Sequence, residues 1–180
     1  MPPLVAASQA GRQGRCLRGY TAAMDAALPR LPPALVLVPE GDDPVSRWLR
    51  PWGELCRGPG RVLFLNRFGC CFLQRPDGRV EMLDAFYGQL EPIAATSAEF
   101  ARLVEDPCWR EVYLLSEYVS RLHRAGKNAA GVEVYALAPP PLAGGPDPWS
   151  EKLPVEAAMV MDVEVLQELY AHHARTAREA

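Results

Sequence analysis

Two cysteines, Cys70 and Cys71, stand side by side in the stretch NRFGCCFLQR, directly after the step Phe68-Gly69. Residues of this type could do two kinds of chemistry. A thiolate could attack a carbonyl with His123 as its base, or a sulfur pair could hold a soft metal ion. The surrounding pattern argues against both. The stretch reads as a β-strand, and consecutive strand side chains point to opposite faces, so the two sulfurs do not converge on one ion. A nucleophilic cysteine needs an imidazole, a cation or a helix N-terminus beside it to lower its pKa. His123, Arg67 and Arg75 are the candidates, and nothing in their spacing places them together. A buried cysteine is a small hydrophobe, and that is the reading the residues favour. The alternative, a small hydrolase using Cys70 or Cys71 with His123, implies a thiol that reacts in the native state.

Other chemistry-bearing residues are more weakly patterned. His172 and His173 are neighbours on a helix, about 100° apart, and do not converge as an i, i+4 pair would. His123 falls near a helix C-terminus, where a cation is favourable in any case. Asp42-Asp43 and Glu105-Asp106 read as helix caps. AGGPDP carries two glycines without a dinucleotide fingerprint or a P-loop lysine, and a G-x-S-x-G elbow is absent. The sequence therefore predicts no catalytic residue, no metal and no cofactor. The aromatic and basic residues point to binding instead. Trp149 lies in a loop of prolines and glycines, where a large ring is as well suited to a partner's pocket as to the core. Trp48 and Trp52 stand four residues apart around a proline, and core packing is favoured for them. Arg75 and Arg79 flank the turn Pro76-Asp77-Gly78. Interface hot spots are rich in Trp and Arg, so the candidate partner-binding residues are Trp149, Arg75, Arg79, Trp48 and Trp52.

Bulk properties set the frame. The 180 residues suit one domain of ordinary size. Apolar residues make up 49% and charged residues 23%, enough for a core and too balanced for a disordered chain. The net charge of −3 gives no reason to expect nucleic acid or a membrane surface as partner. Lys127 and Lys152 are the only lysines, a bias that fits a GC-rich genome better than selection for phosphate binding. No run approaches the ~18 apolar residues of a membrane span. Cys16, Cys56, Cys70, Cys71 and Cys108 form an odd, scattered set with no zinc spacing. Free thiols in the cytoplasm are expected.

The elements that must position these residues follow from periodicity. Residues 1–33 are weakly patterned, with a short Ala-rich helix from Thr21 to Pro29; residues 34–180 read as one domain. Ala34–Val38 is a short buried strand. Asp43 caps a helix opening on Pro44 that Pro51 ends or kinks. Arg61–Asn66, Gly69–Arg75 and Arg79–Asp84 are strands, the last two joined by the Pro76-Asp77-Gly78 turn. A shorter strand follows the turn at Gly88. Thr96 and Glu99 form a capping box for a helix over 97–105. Asp106-Pro107 opens another helix, on which Trp109, Val112, Leu115, Val119 and Leu122 make one apolar stripe up to Gly126. Val132–Ala138 and Val155–Met161 are strands on either side of a Pro/Gly loop. Asp162 caps a final helix facing inward through Val165, Leu166, Leu169 and His173. Together these predict an α+β domain with a mostly antiparallel meander and helices packed on it.

With these residues in place, the order FLNRFGCCFLQRPDGRVEMLDAFYGQLEPIAATSAEFARLVED resembles the C-terminal domain of bacterial type VI secretion immunity proteins. The aromatic-Gly step is Phe68-Gly69, the S-x-E-F helix start is Ser97–Phe100, and YALAPPPLAGG (Tyr135–Gly145) matches that family's Pro/Leu/Gly-Gly stretch before the last strand. The resemblance spans roughly Arg61 to Tyr170. Cys70-Cys71 replace the polar residue usual after the aromatic-Gly step, and Pro140 and Ala143 are extra. The first sixty residues do not follow the family. What the resemblance implies is a cytoplasmic, non-enzymatic protein that binds and blocks a cognate secreted toxin; a scaffold or interaction domain with no toxin partner is the other non-enzymatic reading, and the sequence does not separate the two.

Overall fold

The Pro76-Asp77-Gly78 turn brings two apolar runs together as a hairpin, and the rest of the sheet grows from it. The computed structural model describes residues 30–40, 47–58, 60–149 and 153–179. The expected N-terminal helix and the Asp43 cap lie outside the described residues. The main sheet has five strands in sequence order, each antiparallel to the next: β1 (Val36–Leu37), β2 (Arg61–Asn66), β3 (Cys71–Gln74), β4 (Val80–Asp84) and β5 (Gln89–Ala94). A second, two-stranded sheet pairs β6 (Glu133–Leu137) with β7 (Ala158–Asp162). The helices among the described residues include α1 (Ser97–Leu103), α2 (Pro107–Leu114), α3 (Ser116–Arg124) and α4 (Val163–Glu179). The fold is α+β with a meander sheet, as the periodicity predicts.

Helix boundaries carry their chemistry openly. Thr96 Oγ1 accepts from Glu99 N at 3.1 Å, and the Glu99 carboxylate reaches back to Ala95 N at 2.8 Å. Asp106 caps α2 through Cys108 N, and Asp162 accepts from Glu164 N at the start of α4. At the end of α3, Gly126 N bonds His123 O and Lys127 N bonds Leu122 O, both at 2.9 Å. That pair of bonds is a Schellman motif, with Gly126 at φ 79°.

Four expectations need correction. The single stripe over 107–126 is two helices, broken at Leu115, which sits in the left-handed region at φ 51°. The Glu111 carboxylate caps the second of them by accepting from Ser116 Oγ and Glu117 N at 2.8 Å. Leu114, Tyr118, Val119 and Leu122 are then buried while Val112 is only half-buried. Strand β3, expected from Gly69, begins at Cys71, because Gly69 belongs to a turn. The last strand begins at Ala158, because a 3-10 turn over Val155–Ala157 precedes it. Finally, α4 buries Val163, Leu166, Gln167, Tyr170, Ala171 and Ala174, and leaves Val165 57% exposed. The pattern misses Gln167 because a polar side chain reads as surface.

Gln167 is inside because it bonds to the centre of the fold. That centre is the turn from Asn66 to Cys70. Asn66 is fully buried; its Oδ1 accepts from Phe68 N and Cys70 N, and its Nδ2 donates to Tyr113 O. Arg67, 5% exposed, points its guanidinium at backbone oxygens: Pro33 O at 2.7 and 3.0 Å, Gly131 O at 3.0 Å and Glu133 O at 2.8 Å. Its backbone joins the two sheets, with Arg67 N donating to Leu35 O and Tyr135 N donating to Arg67 O. Gly69 O accepts from Gln167 Nε2 at 2.8 Å, and Gln167 Oε1 accepts from Trp52 Nε1 at 2.6 Å. Around this turn the core is aromatic. Phe64, Phe72, Phe100 and Trp109 pack in stacked, tilted and edge-on pairs with centroids 4.7–5.9 Å apart, each pair contributing about 0.5–1.5 kcal/mol beyond its burial.

Two substitutions test this centre. A Cβ at Gly69, where φ is 85°, would stand 2.4 Å from Leu166 Cδ2. Gly69→Ala should therefore destabilise by about 3 kcal/mol in urea unfolding; a change under about 1 kcal/mol would mean the turn relaxes freely. Arg67→Met removes the donor to three backbone carbonyls and the bonds that join their segments, and should cost about 3 kcal/mol; retained stability would show those oxygens find other partners.

Candidate functional site

Whether the vicinal thiols do chemistry is decided by their surroundings. Cys70 and Cys71 are both 0% exposed. Burial pushes both thiols well above the ordinary range; Asp84 adds to the effect at Cys70, and Cys56 adds to it at Cys71. An activated nucleophile needs the opposite shift. His123 faces the Tyr135 ring, centroids 6.4 Å apart, and its buried Nε2 has no hydrogen-bond partner among the described residues. The geometry therefore places both sulfurs in the core, with Leu83 opposite Cys71 across the sheet. Among the described residues no group of three or more His, Cys, Asp and Glu side chains is arranged to hold a metal ion. No helix of the described residues is long and apolar enough to cross a membrane.

The aromatic candidates are inside. Trp48 is 3% and Trp52 6% exposed, so neither offers its ring to a partner. Trp52 Nε1 is spent on Gln167. Trp149 is half-buried and meets the Phe86 ring edge-on at 5.7 Å. Asp147 pins this loop by accepting from Trp149 N at 3.0 Å and from the Tyr87 hydroxyl at 3.2 Å. The two glycines of the loop serve its path. Gly144 has φ 84°, and a Cβ at Gly145 would lie 1.8 Å from Pro139 O. The loop folds back onto the core and gives the Trp149 ring a place there.

The arginine candidates come together at the surface. Arg75 and Arg79 close the β3–β4 hairpin through Arg75 N to Arg79 O at 2.8 Å, with Gly78 N bonded to Arg75 O. Arg75 Nε donates to Glu81 Oε2 at 2.6 Å, and both side chains are largely buried. Arg79 pairs with Asp77 at 2.9 Å and approaches Glu81 at 3.8 Å, with its side chain 56% exposed. An exposed pair of this kind contributes under about 1 kcal/mol, so Arg79 exchanges one carboxylate for another at little cost. The tip itself is fastened. Gln74 Nε2 donates to Ser97 Oγ at 2.5 Å, and Ser97 Oγ donates to Gly78 O at 3.2 Å. A concavity lies on each side of the tip. One, of about 530 Å³, is lined by Gly60, Arg61, Gln74, Arg75, Gly78 and Ser97 among others. The other, of about 480 Å³, includes Leu55, Arg57, Arg79, Glu81 and Leu90. Arg75, Pro76 and Asp77 form the wall the two share.

The buried thiols generate a pH prediction with a definite sign. A thiol whose folded pKa lies above its unfolded value contributes stability that is whole below the unfolded pKa and is lost as pH rises toward the folded one. Cys56 is pushed from 9.0 to about 11, chiefly by burial; Cys70 and Cys71 shift the same way. The urea midpoint should fall as pH rises from about 9 to 11. In a Cys16→Ser, Cys108→Ser background, Cys70 and Cys71 should react with a thiol reagent only on unfolding. Rapid labelling of either in the folded state would revive the hydrolase alternative.

Sequence reasoning found Arg75 and Arg79 but missed Arg57, Arg61, Gln74 and Ser97, which lie up to twenty or so residues away along the chain. The one signal for them was the hairpin itself, which implied a strand neighbour beside Arg75 without saying which residues it would bring. No protein-family model and no curated protein matches this chain.

Proposed function

We propose that this chain is an immunity-type binding protein, acting in the cytoplasm, that neutralises a cognate secreted bacterial toxin by direct protein–protein contact. The observation that carries the reading is where the residues of the family resemblance lie. Phe68-Gly69 sits in the central turn, with Phe68 stacked on Tyr118 and packed at a tilt against Tyr135. Thr96 and Glu99 cap α1, and Phe100 closes the aromatic core. Gly144 and Gly145 set the path of the loop before β7. Each resemblance residue thus has a shape-determining task in this chain, which supports a shared scaffold rather than a chance string of letters. A rigid scaffold presenting a charged hairpin tip suits a blocking protein, because a surface ordered before binding loses less entropy on association. The buried, protonated thiols work against the cysteine-hydrolase alternative.

The test is protection. The chain is expressed in a bacterial host together with the secreted effector encoded beside its gene. Growth should recover, and the two proteins should co-purify as a stoichiometric complex. Arrest that continues unchanged at equal expression, or a locus with no effector gene, would overturn the reading.

A further inference from the structure

Resting on the toxin-binding reading above, we infer that the partner-binding face is the β3–β4 hairpin tip with its two flanking concavities, and that the partner presents a carboxylate-rich segment to it. The charged residues lining the two concavities are Arg57, Arg61, Arg75, Arg79, Asp77 and Glu81, a net charge of +2. The chain as a whole carries −3. The patch stays positive when Glu54, which is bonded to Arg57, is included. This end of the molecule is therefore positive within a chain of net negative charge, the kind of local contrast that selects and orients a carboxylate-bearing partner.

The guanidiniums are also placed for use. Each is a planar fork suited to a carboxylate. Arg57 and Arg79 have side chains 73% and 56% exposed, and Arg61 is exposed as well. Arg75 is set deeper and held in position by Glu81. A Cβ at Gly60 would lie 3.4 Å from Arg75 Nη1, so the missing side chain at 60 leaves that nitrogen approachable. The bonds from Ser97 to Gly78 and Gln74 hold the tip before a partner arrives. An acidic segment laid across Pro76-Asp77 would enter both concavities at once.

Hexaglutamate serves as the probe, titrated into the ¹⁵N-labelled full chain, with hexalysine as control. Amide shifts should concentrate at 57–61 and 74–81, weaken with added salt, and be absent with hexalysine. The variant Arg57→Glu/Arg61→Glu/Arg79→Glu changes three exposed side chains and should keep its circular dichroism melt while binding hexaglutamate at least about tenfold more weakly. Shifts that map to other arginines, equal binding by hexalysine, or unchanged affinity of the variant would overturn the inference. The same variant in the protection assay separates the two ideas. If wild type and variant protect equally, the surface assignment falls and the toxin-binding reading stands. If wild type fails to protect while hexaglutamate binds the tip through these arginines, the toxin-binding reading falls and the acidic-segment site stands.

Discussion

A guanidinium taken out of water must be given donors' partners in return, and in this molecule Arg67 receives only backbone oxygens. Pro33 supplies one of them and Gly131 and Glu133 the others, so they come from two segments about a hundred residues apart in the chain. Leaving such a charge unbonded in the interior would cost on the order of several kcal/mol, so both of these segments must be in register with Arg67 before the core can close. Burial lowers the Arg67 pKa, with Tyr135 and Glu133 acting in the opposite direction. Arginine still carries its charge under any physiological condition. The constraint is therefore permanent.

Around that constraint the two sheets become one body. The backbone of Arg67 bonds Leu35 on one side and Tyr135 on the other. Asn66 ties the turn to α2, and Gly69 ties it to α4 through Gln167 and on to Trp52. A buried network of this kind stabilises when every member is satisfied and is costly when one is not. The absence of a side chain at Gly69 is what lets Leu166 approach. The opposite end of the meander is fastened by Ser97. A hairpin held at its base by the central turn and near its tip by a helix start is a stiff projection, and its arginines are the groups it carries outward.

How much of this was legible from residues alone varies by the range of the interaction. Caps, turns and strands were readable at Thr96, Asp106, Gly126, Asp162 and Pro76-Asp77-Gly78, because each depends on a few neighbouring residues. The break at Leu115 was not, because an apolar residue in the left-handed region has no sequence signal, and the Glu111 carboxylate that compensates lies outside the helix it caps. The tryptophans divide the same way. Core packing of Trp48 and Trp52 was the favoured reading. The fate of Trp149 depended on Phe86, some sixty residues earlier, and no periodicity reaches that far.

The amino-acid order by itself determined the element types, the antiparallel meander and the packing role of the vicinal cysteines, since alternation and apolar character are local properties. Only tertiary structure decided that Arg67 and Gln167, polar by type, would be the innermost fastenings. Only tertiary structure gathered Arg57 and Arg61 beside Arg75 and Arg79. The physical reason is common to both: a polar side chain's place depends on which distant oxygen or charge folding brings to it, and that partner is not written in its own neighbourhood.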